Sequence, residues 1–254
     1  MGIPVKEFIV SNPFNCMKLV LFFSIGSVLL SSCGQNGEEF YIPEADKNEL
    51  AKIAVSNDKT LPNVLIIGDS ISIGYTPFVI KQLEGKANVS RVNTNCGDTN
   101  KGLKNIKQWL GDTKWDVIHY NFGLHDLCYR HPDSKVSGNR DKVNGKIAVP
   151  LDQYRNNMEI ITETLKATDA KLIFALTTVV PEGEAGRFAG DEIKYNGAAA
   201  KVMKKYGVAI NDLHALSSSF KKDMFVRSGN VHYTKKGSGK LGTQVSSLIE
   251  KKIK

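Results

Sequence analysis

The chain has 254 residues, of which 41% are hydrophobic and 24% charged, which is ordinary for a globular protein. It carries 34 lysine and arginine residues against 26 aspartate and glutamate, a net charge of +8. Because the basic residues are scattered, with no run of five, this charge favours a solvated basic surface over a nucleic-acid interface. We expect one large domain with no nucleic-acid partner.

The N-terminal region carries a predicted export signal. Lys18 precedes an apolar run over residues 19–30, which is too short to span a bilayer but suits the hydrophobic part of a secretory signal. Two serines then lead to Cys33, and this ending resembles the lipobox of bacterial lipoproteins, in which the cysteine is lipidated after cleavage. A plain secretory signal or a buried apolar helix is the alternative.

These features divide the chain into three parts. Residues 1–32 form the signal peptide, with Met17 as an alternative start, and residues 33–60 form the lipidated Cys33 and a polar, flexible tether. Residues 61–254 form the folded domain. We expect a lipid-anchored protein of the bacterial cell envelope, periplasmic or at the cell surface.

The domain alternates predicted strands and helices, which indicates a parallel sheet covered on both faces, a three-layer α/β/α arrangement of five strands. Helical spacing of apolar residues marks a helix from near Tyr75 and four later helices, the last over residues 235–252. The strands are predicted over residues 64–67, 87–92, 115–122, 171–180 and 208–210.

A long polar segment over residues 124–149 interrupts this alternation. Asn144-Gly145 lies between short apolar pieces, as in a two-residue β-hairpin turn. Loops of this length at the active edge of a sheet often shape a substrate cleft.

Chemically active residues follow the predicted strands. Ser70 comes directly after the first strand and its closing Gly68, where an open α/β sheet presents groups to ligands. Ser70 is therefore the candidate nucleophile, and the alternative is an ordinary turn in which Ser70 caps the next helix. Further turns of this kind are Asn95-Cys96-Gly97, Asn121-Phe122-Gly123-Leu124-His125-Asp126 and Asn230-Val231-His232.

Together with Gly68-Asp69-Ser70, these turns resemble, in order and character, the consensus blocks of the SGNH (GDSL) hydrolase family. The resemblance implies a flavodoxin-like α/β fold and a serine esterase. It assigns the nucleophile to Ser70, the general base to His232, and the oxyanion hole to the Ser70 amide, the Gly97 amide and His125. Supporting positions are Asp69, Asn121, Asp126 and Asn230.

The chain departs from the family pattern at two positions. His125 stands where the family usually has Asn, so its tautomer would need a fixing partner, for which Asp126 and Asn121 are the candidates. The acid that commonly precedes the catalytic His by two or three residues is missing, because those positions are Gly229 and Asn230. The nearest upstream acids are Asp212 and Asp223.

No His, Cys or carboxylate spacing resembles a metal site, and we expect neither metal nor cofactor. Cys96 and Cys128 lie beside the candidate site, and the export signal implies an oxidising compartment. The two cysteines pair as a disulfide or remain as two buried thiols, and the sequence leaves both open.

We expect a membrane-anchored esterase that hydrolyses acyl esters, acetyl esters foremost, of a small molecule or polysaccharide. Basic residues of the long loop favour an acidic glycan, although they equally suit a solubilising loop: Arg130, His131, Lys135, Arg140, Lys142 and Lys146. The alternatives are a glycan-binding lipoprotein on a catalytically weak scaffold and an O-acyltransferase.

Overall fold

The computed structural model describes residues 58–254, in which five parallel strands form one sheet. The order across the sheet is β2-β1-β3-β6-β7, and a separate two-stranded antiparallel hairpin is formed by β4 and β5. The strands are β1 (Asn63–Ile67), β2 (Asn88–Arg91), β3 (Val117–Tyr120), β4 (Tyr129–Arg130), β5 (Lys146–Ile147), β6 (Lys171–Ala175) and β7 (Ala209–Asn211). The predicted α/β fold with a five-stranded parallel sheet is confirmed.

Helices cover both faces of the sheet. The chain moves from β1 to the edge strand β2 and then returns past β1 to β3, so right-handed connections place the two linking helices on opposite faces. One layer contains α1 packed on α6, and in the other α3 packs on both α2 and α4. The helices are α1 (Ser70–Gln82), α2 (Thr99–Leu110), α3 (Leu151–Lys166), α4 (Asp191–Tyr206), α5 (Leu213–Ser218) and α6 (Lys235–Ile253).

The central strands are apolar because both of their faces are covered. Val64 and Ile66 of β1, and Val117 of β3, have no exposed surface. Such continuous apolar runs, without alternation of polar residues, are typical of parallel strands between two helical layers.

Two predicted details were wrong. Helix α1 begins at Ser70 and not near Tyr75, because Asp69 caps it by accepting a hydrogen bond from the Ile71 amide at 3.0 Å. Asn144-Gly145 does not form the two-residue turn of a hairpin, since β4 and β5 are joined by residues 131–145. The end of this connection is instead closed by Asp141, whose side chain accepts from two following backbone amides.

The predicted signal peptide, Cys33 and most of the predicted tether lie outside the described residues. Within residues 58–254, no helix has the length and apolar character needed to cross a bilayer. Cys96 and Cys128 are both buried free thiols, so of the two alternatives the structure has the unpaired one.

Candidate active site

The site lies at the point where the strand order reverses. Strand β1 has β2 on one side and β3 on the other, and the connections leave these strands toward opposite faces. A crevice therefore opens beyond the carboxyl ends of β1 and β3, which is where open α/β sheets bind ligands. Ser70 follows β1, and the turn that contains His125 follows β3.

The structure brings Ser70 and His232 together although they are 162 positions apart. Ser70 Oγ lies 2.8 Å from His232 Nε2. Ser70 is the first residue of α1, and His232 lies three residues before α6, the helix that packs against α1. The pairing of these two helices therefore fixes the distance between the hydroxyl and the imidazole.

Asn230 orients the His232 ring. Its Oδ1 lies 2.9 Å from the backbone nitrogen of His232 and 2.8 Å from His232 Nδ1. The backbone N–H can only donate, so the Asn230 atom in contact with it is the amide oxygen and not the amide nitrogen. The same oxygen is the atom nearest Nδ1, so Nδ1 carries a hydrogen and donates it. A proton on Nδ1 leaves the lone pair of Nε2 facing the Ser70 hydroxyl, which is the tautomer that a general base requires.

The two acids upstream of His232 have other partners. Asp212 caps α5, where it accepts from the Ala215 amide at 2.8 Å, and Asp223 pairs with Lys236 at 2.6 Å. The position that a triad acid would occupy is thus taken by the neutral amide of Asn230. Nothing in the pairings of Asp212 or Asp223 supplies a carboxylate to the ring.

Burial sets the protonation state of His232. Desolvation lowers its pKa to about 4, an effect that the Asp69 carboxylate opposes and that the cations Arg187 and Arg140 reinforce. At neutral pH the ring is therefore uncharged and able to accept a proton.

Arg91 holds the nucleophile turn from the neighbouring strand. Its guanidinium donates to the carbonyl of Gly68 at 2.9 Å, to that of Asp69 at 3.3 Å, and to Ser72 Oγ at 3.0 Å. Asp69 is itself buried and serves as the cap of α1. Arg91 was not identified from the sequence, and the available signal was a single charged residue at the end of an otherwise uncharged strand beside β1.

Two glycines are required because side chains approach their backbone closely. A Cβ on Gly68 would lie 2.1 Å from Asn121 Oδ1. A Cβ on Gly123 would lie 1.9 Å from Thr177 Oγ1, and this residue has a φ of +151°. Asn121 therefore packs against the nucleophile turn.

Of the two backbone amides predicted for the oxyanion hole, the Ser70 amide has no acceptor within its helix, whereas the Gly97 amide already has one. The Ser70 amide lies in the first turn of α1, where no carbonyl of the helix can accept its hydrogen. The Gly97 amide donates to the side chain of Asn95 at 3.0 Å. The Gly97 amide can donate to an oxyanion only when its hydrogen bond to the Asn95 side chain is broken.

Both partners predicted for His125, Asp126 and Asn121, were wrong, because the ring contacts Arg130 instead. Asp126 turns away from His125, because its Oδ1 accepts from the Thr99 amide at 2.8 Å and from Thr99 Oγ1 at 2.6 Å, at the start of α2. The residue that contacts the ring is Arg130, whose Nη2 lies 3.3 Å from His125 Nδ1. Desolvation lowers the pKa of His125, an effect that the Asp69 carboxylate opposes and that Arg187 and Arg130 reinforce.

Asp126 is a fully buried carboxyl group with a raised pKa. Desolvation raises the pKa to about 7, although its hydrogen bonds from Thr99 act in the opposite direction. Its second oxygen, Oδ2, has no hydrogen-bond partner within residues 58–254. The role of Asp126 is to join the turn after β3 to the N-terminus of α2.

A buried ionic cluster borders the site beneath the long loop. Glu184 has no exposed surface, and its Oε1 accepts from Arg140 at 2.5 Å and from Arg187 at 3.0 Å. Its Oε2 accepts from the Gly186 amide at 2.7 Å, and Arg187 donates to the Leu124 carbonyl at 2.6 Å. The cluster therefore ties the loop between β6 and α4 to the turn that carries His125.

No group of three or more His, Cys, Asp or Glu side chains in the described part of the chain is arranged to hold a metal ion. The chemistry that the arrangement can perform directly is the removal of the Ser70 proton by His232 and attack of the serine oxygen on an electrophilic carbon.

Comparisons with known proteins identify the family and the fold. The family model described as GDSL-like lipase/acylhydrolase matches residues 64–245, while a search of curated proteins gives no match. Among solved structures, a lipase/acylhydrolase from Enterococcus faecalis superposes with a TM-score of 0.63 at 17% identity, covering 76% of this chain and 98% of its own. The acetyl xylan esterase AlAXEase gives 0.60 at 14% identity, covering 74% and 99%. A variant of Axe2, an acetyl xylan esterase from Geobacillus stearothermophilus, gives 0.54 at 13% identity, covering 76% and 94%.

Proposed function

The chain belongs to the GDSL-like lipase/acylhydrolase family and is a carboxylic ester hydrolase, and we propose that it is a serine esterase acting through Ser70 and His232. The observation that carries this proposal is the 2.8 Å contact between Ser70 Oγ and His232 Nε2, in a ring whose tautomer Asn230 fixes. Nucleophile and base in this relation are the minimum that acyl transfer to serine needs.

In the proposed reaction, Ser70 Oγ attacks the ester carbonyl while His232 Nε2 takes its proton. The same proton then passes to the departing alcohol, leaving an acyl group on Ser70. Water then attacks this acyl group while His232 Nε2 takes its proton, and that proton passes to Ser70 Oγ as the carboxylic acid leaves. The imidazolium formed in each step is oriented by Asn230 but receives no carboxylate charge from it.

The negative oxygen of each tetrahedral intermediate needs donors. We assign this role to the Ser70 amide, at the positive end of α1, and to His125, with the Gly97 amide joining when it exchanges Asn95 for the oxyanion. Each such donor is worth about 3 to 4 kcal/mol in known serine hydrolases.

The proposed substrate is a short acyl ester, such as acetyl, on a carbohydrate. Two of the structural neighbours are acetyl xylan esterases, which supports this substrate class by likeness of fold. The basic residues of the long loop are weak support for an acidic carbohydrate, because two of them already bind other groups of the protein. Arg140 is paired with Glu184, and Arg130 with His125 and the Gly138 carbonyl.

The lipid anchor on Cys33, and with it a place in the bacterial cell envelope, is part of this proposal. It is supported by the apolar run followed by two serines and Cys33. Expression of the full chain in a bacterium with a radiolabelled fatty acid tests it: the protein should carry label and enter the detergent phase, and Cys33→Ala should abolish both. A labelled Cys33→Ala protein would contradict the anchor.

Enzyme activity is tested with a fluorophosphonate probe and with p-nitrophenyl acetate on the full chain. We expect covalent labelling and hydrolysis by the wild type, and neither by Ser70→Ala. The exposed Ser218→Ala is the matched control and should behave as wild type. Labelling that persists in Ser70→Ala would overturn the assignment of the nucleophile. Absence of labelling together with polysaccharide binding would favour a binding protein.

A further inference from the structure

His125 has a contact that determines which of its ring nitrogens carries the hydrogen. Arg130 Nη2 lies 3.3 Å from His125 Nδ1. A guanidinium has only donors and stays protonated at any physiological pH, so Nδ1 must be the acceptor in this contact. An uncharged imidazole that accepts at Nδ1 carries its hydrogen on Nε2.

We propose that Arg130 is a positioning residue that holds His125 as the neutral Nε2–H tautomer, so that His125 always has a hydrogen to donate to the oxyanion. This inference rests on the proposed function, because the oxyanion is the one formed on the acyl group attached at Ser70. An amide side chain has N–H hydrogens in every state. An imidazole in place of the amide has a hydrogen on a given ring nitrogen only if its tautomer is fixed.

Other contacts hold Arg130 in place. Its backbone belongs to β4, where it pairs with Lys146 of β5. Its Nη1 donates to the Gly138 carbonyl, so the guanidinium bridges the long loop and the His125 ring. The contact therefore depends on the hairpin, and not on a freely moving side chain.

The surroundings also disfavour the charged ring. Burial lowers the pKa of His125, Arg187 and Arg130 lower it further, and the opposing carboxylates of Asp69 and Asp98 do not reverse the direction. An imidazolium would present an N–H to the Arg130 guanidinium, so that two donors would face each other. The geometry and the charge of Arg130 thus act in the same direction.

The first test is a double-mutant cycle measured as kcat and KM on p-nitrophenyl acetate. Arg130→Met removes the donor but keeps an unbranched side chain. We expect kcat to fall at least about tenfold with KM little changed. Deletion of an oxyanion donor costs about 10²- to 10³-fold, which is the upper limit for this effect. In the His125→Asn background the same change should alter kcat less than about twofold, since the amide needs no tautomer partner. Arg155→Met, a surface arginine of α3, controls for the loss of one positive charge.

The second test does not depend on catalysis. In the full chain labelled with ¹⁵N-histidine, the ring nitrogens of His125 are assigned by their loss in His125→Asn. We expect a pyrrole-like Nε2 and a pyridine-like Nδ1 at pH 7, with both shifts moving toward the average of the two tautomers in Arg130→Met.

Either of two results overturns the inference. One is an equal loss of kcat from Arg130→Met in both backgrounds, which would indicate a purely structural role of the hairpin contact. The other is a protonated Nδ1 in the wild type. If the wild type hydrolyses no ester and takes no fluorophosphonate label, the proposed function fails, while the nitrogen shifts still decide the tautomer.

Discussion

At the residue scale, the site depends on one amide oxygen. Asn230 Oδ1 receives both the backbone N–H and the Nδ1–H of His232, and this double acceptance sets the amide orientation and the imidazole tautomer together. In a triad with aspartate, the carboxylate sets the tautomer and also stabilises the imidazolium. Here Asn230 fills the first role but, as a neutral amide, cannot fill the second.

Asn230 substitutions separate these two roles. Asn230→Ala should lower kcat by 10²-fold or more, because the proton is then free to occupy Nε2; replacing the triad aspartate of a known protease by a residue that imposes the wrong tautomer costs about 10⁴-fold. Asn230→Asp should retain or raise kcat, since it keeps the acceptor and adds the charge. Steady-state hydrolysis of p-nitrophenyl acetate measures both, and an inactive Asn230→Asp with intact fold would contradict the assignment.

The pH profile reports the protonation of His232. Since its pKa lies near 4, kcat/KM should be flat at neutral pH and fall tenfold per unit below about pH 4. In Asn230→Asp the limb should move to higher pH, because a carboxylate beside the ring favours the imidazolium. The measurement is an initial-rate series on a short acyl ester from pH 3 to 8, and an acid limb near 6.5 in the wild type would contradict burial as the cause.

At the element scale, the loop between β6 and α4 is attached to the site by an ion cluster. Glu184 accepts from Arg140 of the long loop and from Arg187 of its own loop, and Arg187 reaches the carbonyl next to His125. A buried carboxylate between two guanidiniums keeps three chain segments in one arrangement. Its contribution to stability is most visible when one partner is removed.

Glu184→Gln should therefore destabilise the fold, because it leaves two guanidiniums, Arg187 deeply and Arg140 largely buried, beside a neutral amide. We expect the free energy of unfolding to fall by about 3 to 5 kcal/mol. Urea denaturation followed by circular dichroism measures it. Glu182→Gln, exposed on the same loop, is the matched control and should change stability by less than about 0.5 kcal/mol. Equal effects of the two changes would mean that the cluster is not stabilising.

At the scale of the whole molecule, buried titratable groups oppose one another in their effect on stability. His119 of β3 is fully buried with a pKa near 3, and His232 has a pKa near 4. In the unfolded chain both titrate near 6.5, so the unfolded state binds more protons below that pH and the free energy of unfolding falls as pH falls. Asp126 has its pKa raised from 3.8 to about 7, so the stability of its neutral form is lost as pH rises through that interval.

Asp126→Asn isolates the second effect. Asparagine keeps the oxygen that accepts from Thr99 but does not ionise in the unfolded chain, so its stability does not decline between pH 4 and 7. A shift of about three units corresponds to about 4 kcal/mol, and we expect the variant to gain about that much relative to wild type between pH 4 and pH 8. Urea denaturation at both pH values measures the gain. The exposed Asp112→Asn should show none, and parallel wild-type and Asp126→Asn curves would contradict the raised pKa.

The sequence alone predicted the fold class and most strands, because apolar runs between glycine turns are local patterns. It also singled out the residues that meet in the site, since the four turns have the order and character of a known family. It misplaced the start of α1 because residues 70–74 are serine, isoleucine and glycine, which have low helix propensity, and only the backbone geometry shows that Asp69 caps the helix before them.

The partners within the site were decided by the tertiary structure. Asn230 is two residues from His232, but whether its oxygen faces the ring depends on the backbone between them. Arg91 contacts the Gly68 carbonyl 23 positions away, and Glu184 contacts Arg140 44 positions away. Arg130 is only five residues from His125, and its contact with the ring depends on how the chain turns between them. Local sequence patterns determine which segments become strands and helices, whereas hydrogen-bond partners depend on how those segments pack, which brings together side chains that no local pattern relates.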